Sequence, residues 1–300
     1  MMRIPKFSLG SWAFSFGPFE SAPWDFDRFI DYAANTGYDG VEINGFRPHP
    51  HPDDFATRDA CSELASRLSD RGLGISGYAP DFREVAPAEV DAAAYLAVLD
   101  KVLTFSERLG ISTVRVDTVS PPVLHEEDEY KRRFERLANT WQQAATRAAE
   151  SGITIVWEFE PGFWLNRPSE VKAIVDAVDH PSFKLLFDTS HAYMGAVIGA
   201  RQTGITEILN GGTAEYAQLV REQIGHVHLI DCDGTLHGEE TSTHSPFGEG
   251  NVDFKRVLSA LAPIWDNFEW VCFDFCFCPT TEADAVKAIP YVRNLLQECA

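Results

Sequence analysis

Short apolar runs and longer amphipathic stretches alternate along this chain. β-like runs fall near residues 6–12, 38–43, 73–78, 113–117, 153–160, 184–188, 224–230 and 270–275. Helical period marks residues 25–34, 53–71, 87–109, 127–150, 169–178, 213–222, 254–262 and 282–297 between and after them. Gly37, Gly72, Gly110 and Gly152 stand where helices end and a left-handed residue is wanted. The order is βα repeated eight times with no composition break. It predicts one α/β domain over residues 1–300, a single (β/α)8 TIM barrel, rather than a doubly wound sheet, for which neither G-x-G-x-x-G nor a P-loop is present. The glycine-rich stretch 192–212 is longer than an ordinary βα loop and reads as a lid or an oligomer contact.

Composition narrows the partners. The 300 residues are 45% hydrophobic and 12% aromatic, enough for a full core. A net charge of −20 disfavours nucleic acid, and the basic run from Lys131 to Arg136 is interleaved with Glu129 and Glu135 as a solvated helix face. No stretch reaches the roughly 18 apolar residues of a membrane span and the first residues lack a signal core, so a cytoplasmic protein is expected. The six cysteines lack C-x-x-C spacing and read as reduced, buried thiols.

Four strand ends carry residues that do not belong in a buried parallel strand: Glu158, Asp188, His228 and Asp274. An unpaired carboxylate there costs several kcal/mol, on the order of 2–7 for a polar group alone, unless it is paired or binds metal. In a barrel of this kind the reacting groups gather at the carboxyl ends of the strands, where these residues lie. Two carboxylates and an imidazole with a fourth oxygen ligand suit a hard or borderline divalent ion, Mn2+ first, with Mg2+ or Co2+ as alternatives. Parity leaves two choices open. His226 and His228 face the same side, and so do Glu158 and Glu160; we assign Glu158 to metal and Glu160 to substrate or an outer layer. His191, three residues past Asp188, and His125, after the fourth strand, are further acid/base candidates. Glu42 and Asn44 end the second strand, His49 and His51 sit in a proline-bracketed loop, and Trp12, Phe14, Phe16 and Trp164 offer faces for stacking on a sugar.

At these residues the chain resembles the sugar phosphate isomerase/epimerase superfamily, the xylose-isomerase-like barrels. The likeness runs from Gly37-Tyr38-Asp39-Gly40-Val41-Glu42 through 152–158, Phe187-Asp188-Thr189-Ser190-His191 and His226-Val227-His228 to Gly248-Glu249-Gly250-Asn251-Val252-Asp253-Phe254. It implies metal ligands at Glu158, Asp188, His228 and Asp274; Trp12, Glu42, Glu160, Trp164, His226 and Glu249 stand beside them as candidates for the substrate site. Most relatives carry Glu at the fourth ligand position, where Asp274 is shorter by one methylene.

The resemblance implies a metal-dependent isomerase or epimerase of a keto sugar or related polyol, acting through an enediolate, with Glu158 as first base and Asp274 or His191 as second. An alternative keeps the enolising step and ends in elimination, as in C-glycoside deglycosidases, which cleave 3-keto C-glycosides with a small β-rich partner subunit; His125 or His191 would then be the base. The alternative partner is a second copy of the chain. An apurinic-endonuclease-like role ranks last, because the end of the third strand supplies no histidine.

Overall fold

The computed structural model describes residues 2–238 and 240–299. Eight parallel strands close a barrel: β1 (Lys6–Gly10), β2 (Gly40–Asn44), β3 (Gly74–Ala79), β4 (Thr113–Val116), β5 (Thr154–Glu158), β6 (Phe183–Asp188), β7 (Ile224–Leu229) and, after a hairpin, β10 (Trp270–Phe273), which pairs with both β7 and β1. Helices α1 (Phe26–Asn35), α2 (Arg58–Ser69), α3 (Ala92–Leu109), α4 (Glu127–Glu150), α5 (Pro168–Val178), α6 (Thr189–Tyr193), α7 (Gly212–Val220), α8 (Phe254–Leu261) and α9 (Thr281–Glu298) make the connections and the C-terminal helix. The expected TIM barrel is present.

Local chemistry sets these boundaries. The Asp25 side chain accepts from Arg28 N at 2.8 Å to start α1, Thr57 caps α2 and Asp253 caps α8. Gly110 ends α3 in the left-handed region at φ 69°. The helical period predicted from residue 53 begins only at Arg58, because Thr57 is the cap and residues before it turn back on themselves. Outside the barrel, Trp141 of α4 packs its ring 5.2 Å from Trp157 of β5 and 5.2 Å from Phe183 of β6. Burying such side chains contributes about 1.5–3 kcal/mol each, which clamps helix to sheet.

Two features depart from the sequence reading. The stretch 192–212 is partly helical: α6 runs into one π-helical turn, Met194–Ile198, closed by Gly199 at φ 67°. And residues 231–245, for which the sequence pattern predicted no element, form an antiparallel hairpin of β8 (Asp231–His237) and β9 (Thr241–Ser245) that sits beside the barrel mouth. Asp231 anchors it. Its carboxylate accepts from the backbone N–H of Cys232, Gly248, Gly250 and Val252 at 2.9–3.1 Å, and a Cβ on Gly250 would lie 2.3 Å from that carboxylate.

Candidate active site

The floor of the site is built from the ends of five strands, β2, β5, β6, β7 and β10. Glu42 on β2 accepts from His226 Nε2 at 2.8 Å and from His228 Nε2 at 3.2 Å, so both histidines of β7 point inward and share one carboxylate. One extra residue on β7, Gly225, shifts the register against β6 and sets Asp188 opposite His228. With Nε2 of His228 turned to Glu42, its Nδ1 faces Glu158 Oε1 at 2.9 Å and Asp274 Oδ2 at 3.7 Å. Ligand atoms of Glu158, Asp188, His228 and Asp274 all lie within 4.8 Å of one another. That envelope is about twice a metal–ligand bond of roughly 2.0–2.3 Å.

Glu158 Oε1, Asp188 Oδ2 and His228 Nδ1 are all buried. Among the described residues Asp188 Oδ2 has no partner, while Glu158 Oε1 and His228 Nδ1 have only each other at 2.9 Å; a divalent cation fits where the three converge, because a buried polar atom left unpaired costs about 1–3 kcal/mol. The Glu42 carboxylate on Nε2 of His228 fixes the orientation of the imidazole, as an outer partner would for a ring that binds metal through Nδ1. Without a cation, the charges of Glu42 and Glu158 outweigh burial and raise His228 well above its ordinary range. Burial pushes Asp188 up to about 7 against the pull of His244.

The remaining atoms of the set are tied back. Glu158 Oε2 is 2.7 Å from the Arg115 guanidinium, and this cation together with His228 overcomes burial to hold Glu158 below the usual range. Asp274 Oδ1 accepts from Trp12 Nε1 at 2.6 Å and from Cys276 N at 2.8 Å, with His244 Nδ1 at 3.3 Å. Burial notwithstanding, His244 and His228 keep Asp274 far below the ordinary carboxylate range. Gly10 makes the Trp12 position available, since a Cβ there would lie 2.3 Å from the indole ring. Asp188 Oδ1 accepts from His191 N at 2.8 Å and so caps α6.

Above this floor opens a cavity of about 490 Å³. Trp12, Arg115, Glu158, Glu160, His191 and Asp274 face it, with Phe16, Phe46 and Phe277 at its rim; the Phe16 ring is 5.4 Å from Phe46 and 6.4 Å from Phe277. Strand β9 forms one wall. Thr241 hydrogen-bonds Glu160, Ser242 Oγ lies 2.7 Å from His191 Nδ1, and His244 faces Asp274. Burial presses His191 down to about 3, keeping it neutral, and burial with the neighbouring Glu158 charge pushes Glu160 up to about 8. His244 is pushed up to about 9, because Asp274 outweighs burial.

The family described as the xylose isomerase-like TIM barrel matches residues 30–295. The chain belongs to that family. An inosose dehydratase of Glaesserella parasuis is 24% identical over 288 residues, covering 89% of this chain and 85% of that protein. An inosose dehydratase of Geobacillus thermodenitrificans is 26% identical over 253 residues, covering 79% and 77%. Among solved structures, the D-psicose 3-epimerase of Clostridium cellulolyticum superposes with a TM-score of 0.71 at 18% identity, covering 97% of this chain and 99% of that one. An L-ribulose 3-epimerase gives 0.72 at 17% identity, covering 99% and 96%.

In this xylose isomerase-like barrel the other sequence candidates are scattered. Glu42 and His226 lie under the floor rather than on the cavity wall, as buried supports of His228. Trp164 is buried, its ring 5.8 Å edge-on from His125, and neither is among the described residues that line the cavity. Glu249 is exposed in the turn whose N–H groups bind Asp231. Phe14 is core, stacked 4.2 Å from Trp24. His49 is buried, its Nδ1 2.9 Å from Ser11 Oγ and its Nε2 3.1 Å from Trp24 O. His51, half-buried, lies beside Arg47 at 3.2 Å. Two residues that sequence reasoning passed over belong to the site: Arg115, a charge inside the run Thr113-Val114-Arg115-Val116, and His244, in a polar segment without period.

Proposed function

We propose that this protein is a divalent-metal-dependent enzyme that takes a proton from the carbon beside the carbonyl of a keto sugar or related polyol, as an isomerase or epimerase. The observation that carries this reading is the convergence of buried Glu158, Asp188 and His228 ligand atoms, with Asp274, at the base of a cavity of about 490 Å³, large enough for a sugar. Glu158, Asp188, His228 and Asp274 would hold the ion, most plausibly Mn2+ given oxygen-rich ligation without thiolate. Bound there, the ion supplies polarisation of the carbonyl and of an adjoining hydroxyl, lowering the cost of an enediolate. Trp12 offers a flat face beside that point, its ring 5.3 Å from His228. Sugar epimerases among the structural neighbours and inosose dehydratases among the relatives are consistent with chemistry next to a carbonyl.

A second reading, elimination after the same proton abstraction, is favoured by the state of Asp274. Two-base epimerisation asks a second carboxylate to exchange a proton, whereas Asp274 Oδ1 already accepts from Trp12 and Cys276. Loss of water or of an aglycone needs no second base, and the Phe16, Phe46 and Phe277 rim suits an apolar substituent of the C-glycoside kind. The test is NMR in D2O with Mn2+-loaded protein and a panel of ketohexoses, inososes and 3-keto glucosides. Deuterium entering beside the carbonyl is expected; release of water or aglycone selects elimination, and a returned, labelled sugar selects isomerisation. No exchange on any of them with metal fully bound overturns the reading.

A further inference from the structure

We infer that Glu160, rather than any of the three metal-facing carboxylates, is the group that takes the proton from the substrate. This rests on the enolising reading above. A carboxylate acts as a base only through an oxygen that still has a lone pair facing the substrate, so the hydrogen-bond inventory of each acid in the cavity decides between them.

Three of the acids are engaged. Glu158 offers Oε1 to the ligand set and Oε2 to Arg115 at 2.7 Å, so a guanidinium neutralises the oxygen that metal leaves over. Asp274 directs Oδ2 toward His228 Nδ1 and has Oδ1 filled by Trp12 and Cys276 N–H groups. Asp117 accepts from Val119 N at 2.9 Å and lies 3.6 Å from Arg115. Glu240 also borders the cavity, but it is exposed on the hairpin turn, away from the floor.

Glu160 differs from all of these. Its only hydrogen bond among the described residues comes from the Thr241 hydroxyl to Oε2, and it has no cationic partner within ion-pair distance there. Oε1 has no such donor among the described residues, and Glu160 lines the cavity two residues beyond Glu158, while Thr241 from β9 holds the carboxylate through Oε2. The step starts from ionised Glu160, whose proton burial and the Glu158 charge otherwise retain up to about pH 8, and it is balanced without another reactant. The C–H bond beside the carbonyl breaks, its proton forms an O–H bond on Glu160, and the electron pair becomes the new C=C bond as the carbonyl oxygen takes up the charge. Glu160 then holds a proton to return to a carbon or to give to a departing oxygen.

Deuterium wash-in by NMR, metal content by elemental analysis and binding of the matching alditols by calorimetry, measured on wild type, E160Q, E160D and E158Q, test the assignment. E160Q is expected to keep its metal and its alditol affinity while wash-in falls about 10²- to 10⁴-fold. E160D should recover part of the rate, and E158Q should lose metal as well as rate. Exchange by E160Q within a few-fold of wild type, or loss of metal from E160Q, overturns the assignment and leaves the enolising reading standing. A fully metallated wild type that exchanges none of the ketohexoses, inososes or 3-keto glucosides overturns both.

Discussion

Two walls meet at this cavity and are built on different principles. On the barrel side, Glu158, Asp188, His228 and Asp274 each have one polar atom tied back, to Arg115, His191 N, Glu42 and Trp12 respectively, and another turned toward a common point. On the hairpin side, Thr241, Ser242 and His244 each touch one ionisable group, Glu160, His191 and Asp274. Closed parallel strands fix ligand geometry because every strand end is held by two neighbours. The hairpin is a separate antiparallel layer that touches groups facing substrate and, through His244, the Asp274 end of the ligand set.

Breaking the barrel wall should have the largest effect. D188N removes a ligand charge while its amide oxygen can still cap α6, and is expected to leave less than one metal per chain and to lower any enolisation rate about 10²- to 10⁴-fold, read by elemental analysis and D2O exchange. D274E sharpens the contrast. The shorter acid is clasped by Trp12 Nε1 and Cys276 N, so an added methylene must displace them or the metal; a misplacement near 1 Å costs about 10²-fold in rate. A fully metallated, more active D274E would show that the clasp is dispensable. E42Q works one layer out and should weaken Mn2+ affinity about 10- to 100-fold, measured by competition with a chelator.

The hairpin wall should respond more gently and in a different coordinate. S242A deletes the hydroxyl on His191 Nδ1, worth about 0.5–1.5 kcal/mol, so turnover should fall about 2- to 10-fold with metal content unchanged. His49, outside both walls, gives the smallest signal, in stability alone. Burial, partly opposed by the Trp24 carbonyl, presses it down to about 4, below the ordinary 6.5 of the unfolded chain. The folded state then refuses a proton that the unfolded state accepts, so stability is full above pH 6.5 and is lost as pH falls toward 4, by at most about 3 kcal/mol. Thermal melts of H49Q should be flatter than wild type across that window; parallel curves would assign the acid sensitivity elsewhere.

The contrast between the walls also explains what the sequence could reveal. Buried parallel strands read as unbroken apolar runs, so an acid or imidazole ending one stands out, as Asp188 does after Lys184-Leu185-Leu186-Phe187. The hairpin offers no such background: in Asp231–His237 and Thr241–Ser245 nearly every residue is polar, and His244 among serines and threonines looks like loop. Roles that depend on partners far along the chain were equally illegible. Glu42 reads as a strand-end acid until the fold brings it to His226, 184 residues away. Whether Arg115 was solvated or paired could not be read before β4 and β5 were set side by side, with Arg115 opposite Val156 and its guanidinium on Glu158. Trp164 shows the converse, an aromatic near the mouth that packing claims for the core.

The central claim, that one divalent ion organises this cavity, is tested most directly by anomalous diffraction at the manganese edge from crystals of Mn2+-loaded protein. A single peak is expected among Glu158, Asp188, His228 and Asp274, and none between His191 and His244, although those two also lie close to Asp188 and Asp274. No peak within bonding distance of His228 Nδ1, after saturating Mn2+, would contradict the account.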